Sequence, residues 1–190
     1  SSNTAVGFYA LLNNDGGDYN TAVGAYSLYS NDGGIDNTAM GLNAAKNNTS
    51  GDYNTAIGSN ALFSNISGNN NTAVGYTALY NATGEENTAI GQSAMYYTTT
   101  GSENSAVGDY ALYKNTTGSY NSAFGKSALY ENTTGVNNVA TGAYSLYSNT
   151  SGGYNTAVGS YALTANTTGS DNVAFGNGAL QSNTTANYNT

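Results

Sequence analysis

One short pattern recurs through the whole chain. Asn-Thr-Ala-Val-Gly, or a near variant, opens at Asn3, Asn20, Asn37, Asn54, Asn71, Asn87, Asn104, Asn121, Asn138, Asn155 and Asn172, and begins again at Asn189. The step is 17 residues every time except one of 16, between Asn71 and Asn87. A fixed period of this length marks stacked units, each too small to bury its own apolar side chains and each completed by its neighbours. Eleven units make residues 1–190 a single repeat array, each reading approximately Asn-Thr-Ala-Val-Gly-x-x-Ala-Leu-Tyr-x-Asn-Thr-Thr-Gly-x-Tyr. Places within a unit are numbered from position 1 to position 17.

Asn at position 1, Ala at position 3 and Gly at position 5 are identical in all eleven units. Position 2 is Thr, Ser or Val, position 4 is Val, Ile, Met, Phe or Thr, and position 8 is Ala or Ser. Position 9 is Leu except for Ala45 and Met95. A helix is excluded: Gly recurs in every unit, β-branched residues gather at positions 2 and 4, and no stripe of period 3.6 lasts a helix length. The pattern predicts two short strands per unit, at positions 2–4 and 7–10. The first is closed by the position-5 Gly and the second by an Asn-Thr-Thr-Gly turn.

Stacked in register, such units form an all-β parallel β-solenoid, or β-roll, of eleven 17-residue coils, a rod about 50 Å long at roughly 4.8 Å per coil. Stacking assigns a cause to each invariant. The position-1 residues Asn3, Asn20, Asn37, Asn54, Asn71, Asn87, Asn104, Asn121, Asn138, Asn155 and Asn172 are expected to form a side-chain amide ladder. Gly7, Gly24, Gly41, Gly58, Gly75, Gly91, Gly108, Gly125, Gly142, Gly159 and Gly176 are expected at a backbone corner of positive φ. Position 4 and the position-9 Leu are expected to fill a narrow interior, with the small residues at positions 3 and 8 marking close approach of another backbone. The short unit is expected to lack its residue between Tyr80 and Asn81, beside the turn.

The units resemble the head repeats of trimeric autotransporter adhesins, which read approximately Asn-Ser-Val-Ala-Ile-Gly-x-x-Ser-x-Ala and form left-handed parallel β-rolls; similar repeats occur in phage and viral tail fibres. The resemblance covers all eleven units, although this unit is a few residues longer and adds the Asn-Thr-Thr-Gly turn. It implies an extracellular or surface-projecting homotrimer that adheres to a host surface or a glycan. No binding residue carries over. Because the chain starts two residues before a unit and stops two residues into one, it reads as a slice of a longer fibre.

Composition narrows the function further. With no His, Cys, Pro, Trp or Arg, the common general base, thiol nucleophile and zinc ligand sets are missing, so an enzyme is not expected and no cofactor is assigned. Three Lys against eleven Asp and Glu leave no basic surface for nucleic acid or anionic lipid, and no apolar run is long enough for membrane insertion.

Three sets of residues remain as candidate sites. Tyr29, Tyr80, Tyr96, Tyr113, Tyr130 and Tyr147 at position 10 would form an aromatic stripe offering surface contact to a glycan or protein, or simply stabilising the stack. Asn48, Asn65, Asn81, Asn115, Asn132, Asn149, Asn166 and Asn183 stand in Asn-x-Ser/Thr and are glycosylation acceptors by pattern, though the turn alone also explains them. Asp15, Asp18, Asp32, Asp36 and Asp52 crowd the first turns as a calcium candidate, and rows of Thr raise an ice-binding face. The expected function is a structural or adhesive fibre segment. The alternatives are a self-assembling, glycosylated filament stacked end to end, and a calcium- or ice-binding solenoid.

Overall fold

A computed structural model describes residues 2–190. Eleven strands of three residues each, β1 (Thr4–Val6), β2 (Thr21–Val23), β3 (Thr38–Met40), β4 (Thr55–Ile57), β5 (Thr72–Val74), β6 (Thr88–Ile90), β7 (Ser105–Val107), β8 (Ser122–Phe124), β9 (Val139–Thr141), β10 (Thr156–Val158) and β11 (Val173–Phe175), form one parallel sheet in sequence order. Pairing is in register, Thr4 with Thr21, Ala5 with Ala22 and Val6 with Val23, and so on upward. The register survives the short step, where Thr72 pairs with Thr88. The chain is an all-β parallel solenoid.

Each coil holds one strand, not two. Positions 7–10 form successive turns, because the residues at positions 7 and 9 adopt left-handed backbone conformations: Tyr110 has φ 59° and Leu112 has φ 52°, with equivalents throughout. Position 17 does the same, as Tyr120 at φ 61° shows. Such conformations cost L-residues roughly 1–2 kcal/mol each and persist where the surroundings over-determine them. Here those surroundings are hydrogen bonds to both neighbouring coils. Tyr110 N donates to Gln92 O below at 2.9 Å, Leu112 N donates to Ala128 O above at 2.9 Å, and Tyr120 N donates to Ser102 O below at 3.2 Å.

The interior also differs from the expectation. Position 4 points outward, as Met40, Ile57, Ile90 and Phe124 are 37–46% exposed, whereas the position-3 Ala of coils two to ten is fully buried. Successive strand residues face opposite sides, so only one parity can line the core. Asn at position 1 must face inward to meet its partners, and Ala at position 3 follows it. The core is then the position-3 Ala, the position-8 Ala or Ser and the position-9 Leu, with Leu28, Leu62, Leu79, Leu112, Leu129, Leu146 and Leu163 completely enclosed. Small residues at positions 3 and 8 leave position 9 as the one large apolar side chain in the core of a coil, with Met95 in place of Leu in coil six and only Ala45 there in coil three. Ser27 and Ser145 are tolerated at position 8 because their hydroxyls donate to the corner carbonyls of Gly24 and Gly142, at 3.0 and 2.8 Å.

The position-5 glycines have φ between 124° and 138°. A Cβ on Gly108 would lie 2.6 Å from the backbone carbon and oxygen of Gly125 in the next coil. Coil stacking at this corner therefore excludes every other residue.

Candidate functional site

The buried polar groups and the aromatic column are the chemically distinctive parts of the rod. The position-1 Asn side chains from Asn20 to Asn172 are buried, and each works in two directions. Asn37 Nδ2 donates to Gly51 O of its own coil at 2.8 Å, while Asn37 Oδ1 accepts from the backbone N–H of Asn54 above at 2.9 Å. From Asn104 to Asn189 a direct amide contact is added, as in Asn121 Nδ2 to Asn104 Oδ1 at 3.2 Å. The column continues through the short coil, where Asn87 N donates to Asn71 Oδ1 at 3.0 Å.

The regular side-chain amide ladder lies elsewhere, at position 12. Asn31 Nδ2 donates to Asn14 Oδ1 (2.7 Å), Asn48 to Asn31 (2.9 Å) and Asn65 to Asn48 (2.7 Å); higher up, Asn132, Asn149, Asn166 and Asn183 repeat the link. Each Nδ2 also donates to the position-15 carbonyl of its own turn, as Asn149 does to Gly152 O at 2.9 Å. Asn48, Asn65, Asn115, Asn132, Asn149 and Asn166 are consequently 0% exposed. These are six of the glycosylation candidates, and their amides face the core rather than solvent. Asn183 is half-buried at the upper end of the ladder.

Asn81 is placed differently. The short coil omits its residue inside the turn, not ahead of it, so Ala82 takes the ladder place and is fully buried. Asn81 sits one position earlier, half-buried, with its Nδ2 donating to Tyr96 O at 3.0 Å. Aligning the turn by its Asn misassigns the register at this coil. The structure aligns by what is buried.

The position-10 side chains form a column. Phe63, Tyr80, Tyr96, Tyr113, Tyr130 and Tyr147 stack with centroids 5.0–5.7 Å apart and interplanar angles of 2–29°. Their faces are covered by one another, leaving edges and hydroxyls outward, so the column supplies cohesion between coils more than an open aromatic platform. Tyr29 lies below a gap filled by Lys46, whose Nζ is 5.1 Å from the Tyr26 ring and 5.8 Å from Phe63. Burial, then neighbouring tyrosines, raises the Tyr113 hydroxyl to about 12 and pushes Tyr96 and Tyr130 up as well.

Beside the column, Tyr97 meets Tyr96 and Tyr113 edge-on at 4.8 and 5.2 Å. With Lys114, Thr116 and Thr133 it lines an open, shallow cleft of about 330 Å³. Lys114 is bound to Glu131 at 2.8 Å, which raises its pKa. The turn hydroxyls are spent internally, Thr116 Oγ1 on Thr133 O (2.9 Å) and Thr133 Oγ1 on Thr150 O (3.0 Å).

Among the Asp residues of the first turns, Asp52 Oδ1 accepts from Ile35 N at 2.8 Å, acting as a link between coils. No group of three or more His, Cys, Asp or Glu with metal-binding geometry is found among the described residues. Nor do these residues form a helix long and apolar enough to cross a membrane.

Sequence reasoning did not anticipate the outward apolar face. Positions 2 and 4 of each strand project from the side of the sheet opposite the buried Ala, and the position-17 residues Tyr19, Tyr53, Tyr120 and Tyr154, two residues before the strand, are exposed as well. The signal was present in the invariance of Ala at position 3, since an inward Ala forces its strand neighbours outward. No family model, curated protein or solved structure matches the chain.

Proposed function

We propose that the chain is a stiff segment of an extracellular fibre, whose rods associate side by side through the outward face of the sheet and present their turns to the surroundings. The observation that carries this reading is the apolar row at position 4. Met40, Ile57, Ile90 and Phe124 stand half in solvent on a surface repeating every coil, beside Thr, Ser and Val at position 2. An apolar strip of this kind, interrupted among the eleven coils by Thr141, marks an interaction surface. Three outward positions over eleven coils cover on the order of 650 Å² per rod, taking roughly 13 Å across by 50 Å along, so a pair would bury about 1,300 Å². That is enough for a specific interface. A second copy is the partner with matching period, and the likeness to trimeric adhesin and tail-fibre repeats favours three copies around one axis.

The mechanical role follows from the fold. Main-chain bonds, two internal Asn columns and the aromatic stack all run along the axis, so a load spreads over many parallel links. Adhesion to a glycan or host surface would fall to the turns and to the Tyr edges, which stay outside the trimer.

Sedimentation equilibrium with small-angle scattering tests this. The expected particle has three times the 19.3 kDa chain mass and a rod-like profile. Ile90→Glu with Phe124→Glu should leave the β signal in circular dichroism while yielding monomers. A wild-type monomer at tens of micromolar would overturn lateral association; indefinite growth instead of a trimer would favour the end-to-end filament.

A further inference from the structure

The position-12 ladder has one interruption. It runs unbroken through Asn14, Asn31, Asn48 and Asn65, and again from Asn115 upward. The two intervening places hold Ala82 and Thr98, both fully buried. Ala82 has no polar side chain to hand on. Thr98 Oγ1 is buried with no hydrogen-bond partner, the only such side-chain atom found among the described residues. The groups on either side show the same loss. Asn65 Oδ1 accepts from Gly68 N of its own turn at 3.1 Å instead of from a coil above, and Asn115 Nδ2 reaches only Gly118 O, at 2.9 Å.

The turn backbone is disturbed at the same level. Thr49 N donates to Ile66 O at 2.9 Å, the step from the coil-four turn to the coil-five turn lacks the equivalent bond among the described residues, and the series resumes with Thr83 N of the short coil itself to Thr99 O at 2.8 Å. The strand side is intact there, with Thr72 still paired to Thr88 and Asn87 N still bound to Asn71 Oδ1.

In a solenoid, stability is close to a sum of coil terms and nearest-neighbour terms, so weakening the three successive interfaces between coils four and seven divides the array. We infer that coils five and six form a joint separating two cooperative blocks, coils one to four and coils seven to eleven, and that the turn side of this joint opens before either block unfolds. The rod would yield there under load while the sheet keeps its two halves in line.

Amide hydrogen exchange followed by mass spectrometry or NMR on the full chain tests this, because the compared amides are bonded alike. Thr99 N donates to Thr116 O at 2.9 Å just as Thr116 N donates to Thr133 O at 3.0 Å. Thr83 and Thr99 should exchange at least tenfold faster than Thr116, Thr133 and Thr150. Thr98→Asn, in a coil of regular length, supplies an acceptor for Asn115 and should slow Thr99 severalfold. The reverse change, Asn132→Thr, should create a second fast-exchanging turn at Thr133 inside the upper block. Uniform protection of all these turns in the unaltered chain would overturn the joint. So would a Thr98→Asn protein that folds as before yet leaves Thr99 exchange unchanged. Should that variant not fold, the Asn132→Thr result decides: no acceleration at Thr133 would count against the ladder as the cause.

Discussion

The strand side and the turn side of each coil are built from the same residue types, and they tolerate change differently. On the strand side, position 1 is Asn and position 5 is Gly in all eleven coils, through the short step included. On the turn side, the ladder Asn gives way to Ala82 and Thr98, a residue is lost, and the position-15 Gly becomes Ala186. The reason is what each group serves. A position-1 Asn satisfies backbone groups, holding the N–H of the coil above and the carbonyl of its own turn. A position-12 Asn satisfies one turn carbonyl and other side chains of its own kind. Removing a link between side chains leaves fewer buried backbone groups stranded.

Substituting glycines sets the two sides furthest apart. Gly108→Ala places a methyl 2.6 Å from the Gly125 backbone at φ +136°, and the combined strain and overpacking should cost about 3–4 kcal/mol. Gly33, in a turn, has nothing within 4 Å of an added Cβ, so Gly33→Ala should be neutral or stabilise by about 0.4–1 kcal/mol. Chemical denaturation of the two variants measures both signs at once.

Removing one amide from each column sharpens the same contrast. Asn104→Ala strips the buried backbone N–H of Asn121 of its acceptor and removes one of the two donors to Gly118 O, the other being Asn115 Nδ2, for an expected loss of about 2–3 kcal/mol. Asn132→Ala unlinks Asn115 and Asn149 while Gly135 O keeps Asn121 Nδ2 as a donor at 2.8 Å, for an expected loss of about 1 kcal/mol. Equal losses in thermal or chemical unfolding would mean that the two columns do equivalent work, and the contrast between strand side and turn side would fail.

A smaller effect distinguishes the aromatic column. Tyr113 holds its proton to about 12 against an ordinary value of 10.0, so folding favours the neutral phenol. Between those two values the unfolded chain has lost a proton that the folded chain retains. This contribution is therefore complete below pH 10 and disappears as pH rises through about 12. The melting temperature should fall across that window, and Tyr113→Phe should lessen the fall. An unaltered pH profile in that variant would remove Tyr113 as the cause.

Much of this was legible in the sequence because repetition compares a unit with itself. The 17-residue period, the parallel stack and the corner at Gly108 and its equivalents followed from invariance alone. Three features did not. Val and Ile at position 4 look like core residues by hydrophobicity, yet strand parity ties them to Thr at position 2 and away from Asn and Ala. Leu112 in a left-handed conformation carries no local signal, since Leu disfavours that region and adopts it only because the coils on either side fix its backbone. The same holds for Asn81 and Ala82: turn chemistry pointed to the Asn, while burial selected the Ala.

Two columns of Asn lie inside the rod and hold its coils together. Side-chain amide exchange measured by NMR tests this directly, because the Nδ2 protons of Asn104, Asn121, Asn132 and Asn149 are buried and bonded, whereas exposed Asn70 provides an internal reference. Exchange at least a hundredfold slower for both columns than for Asn70 is the expected result. Similar rates for all Asn side chains would place these amides in solvent and contradict an interior lined by Asn.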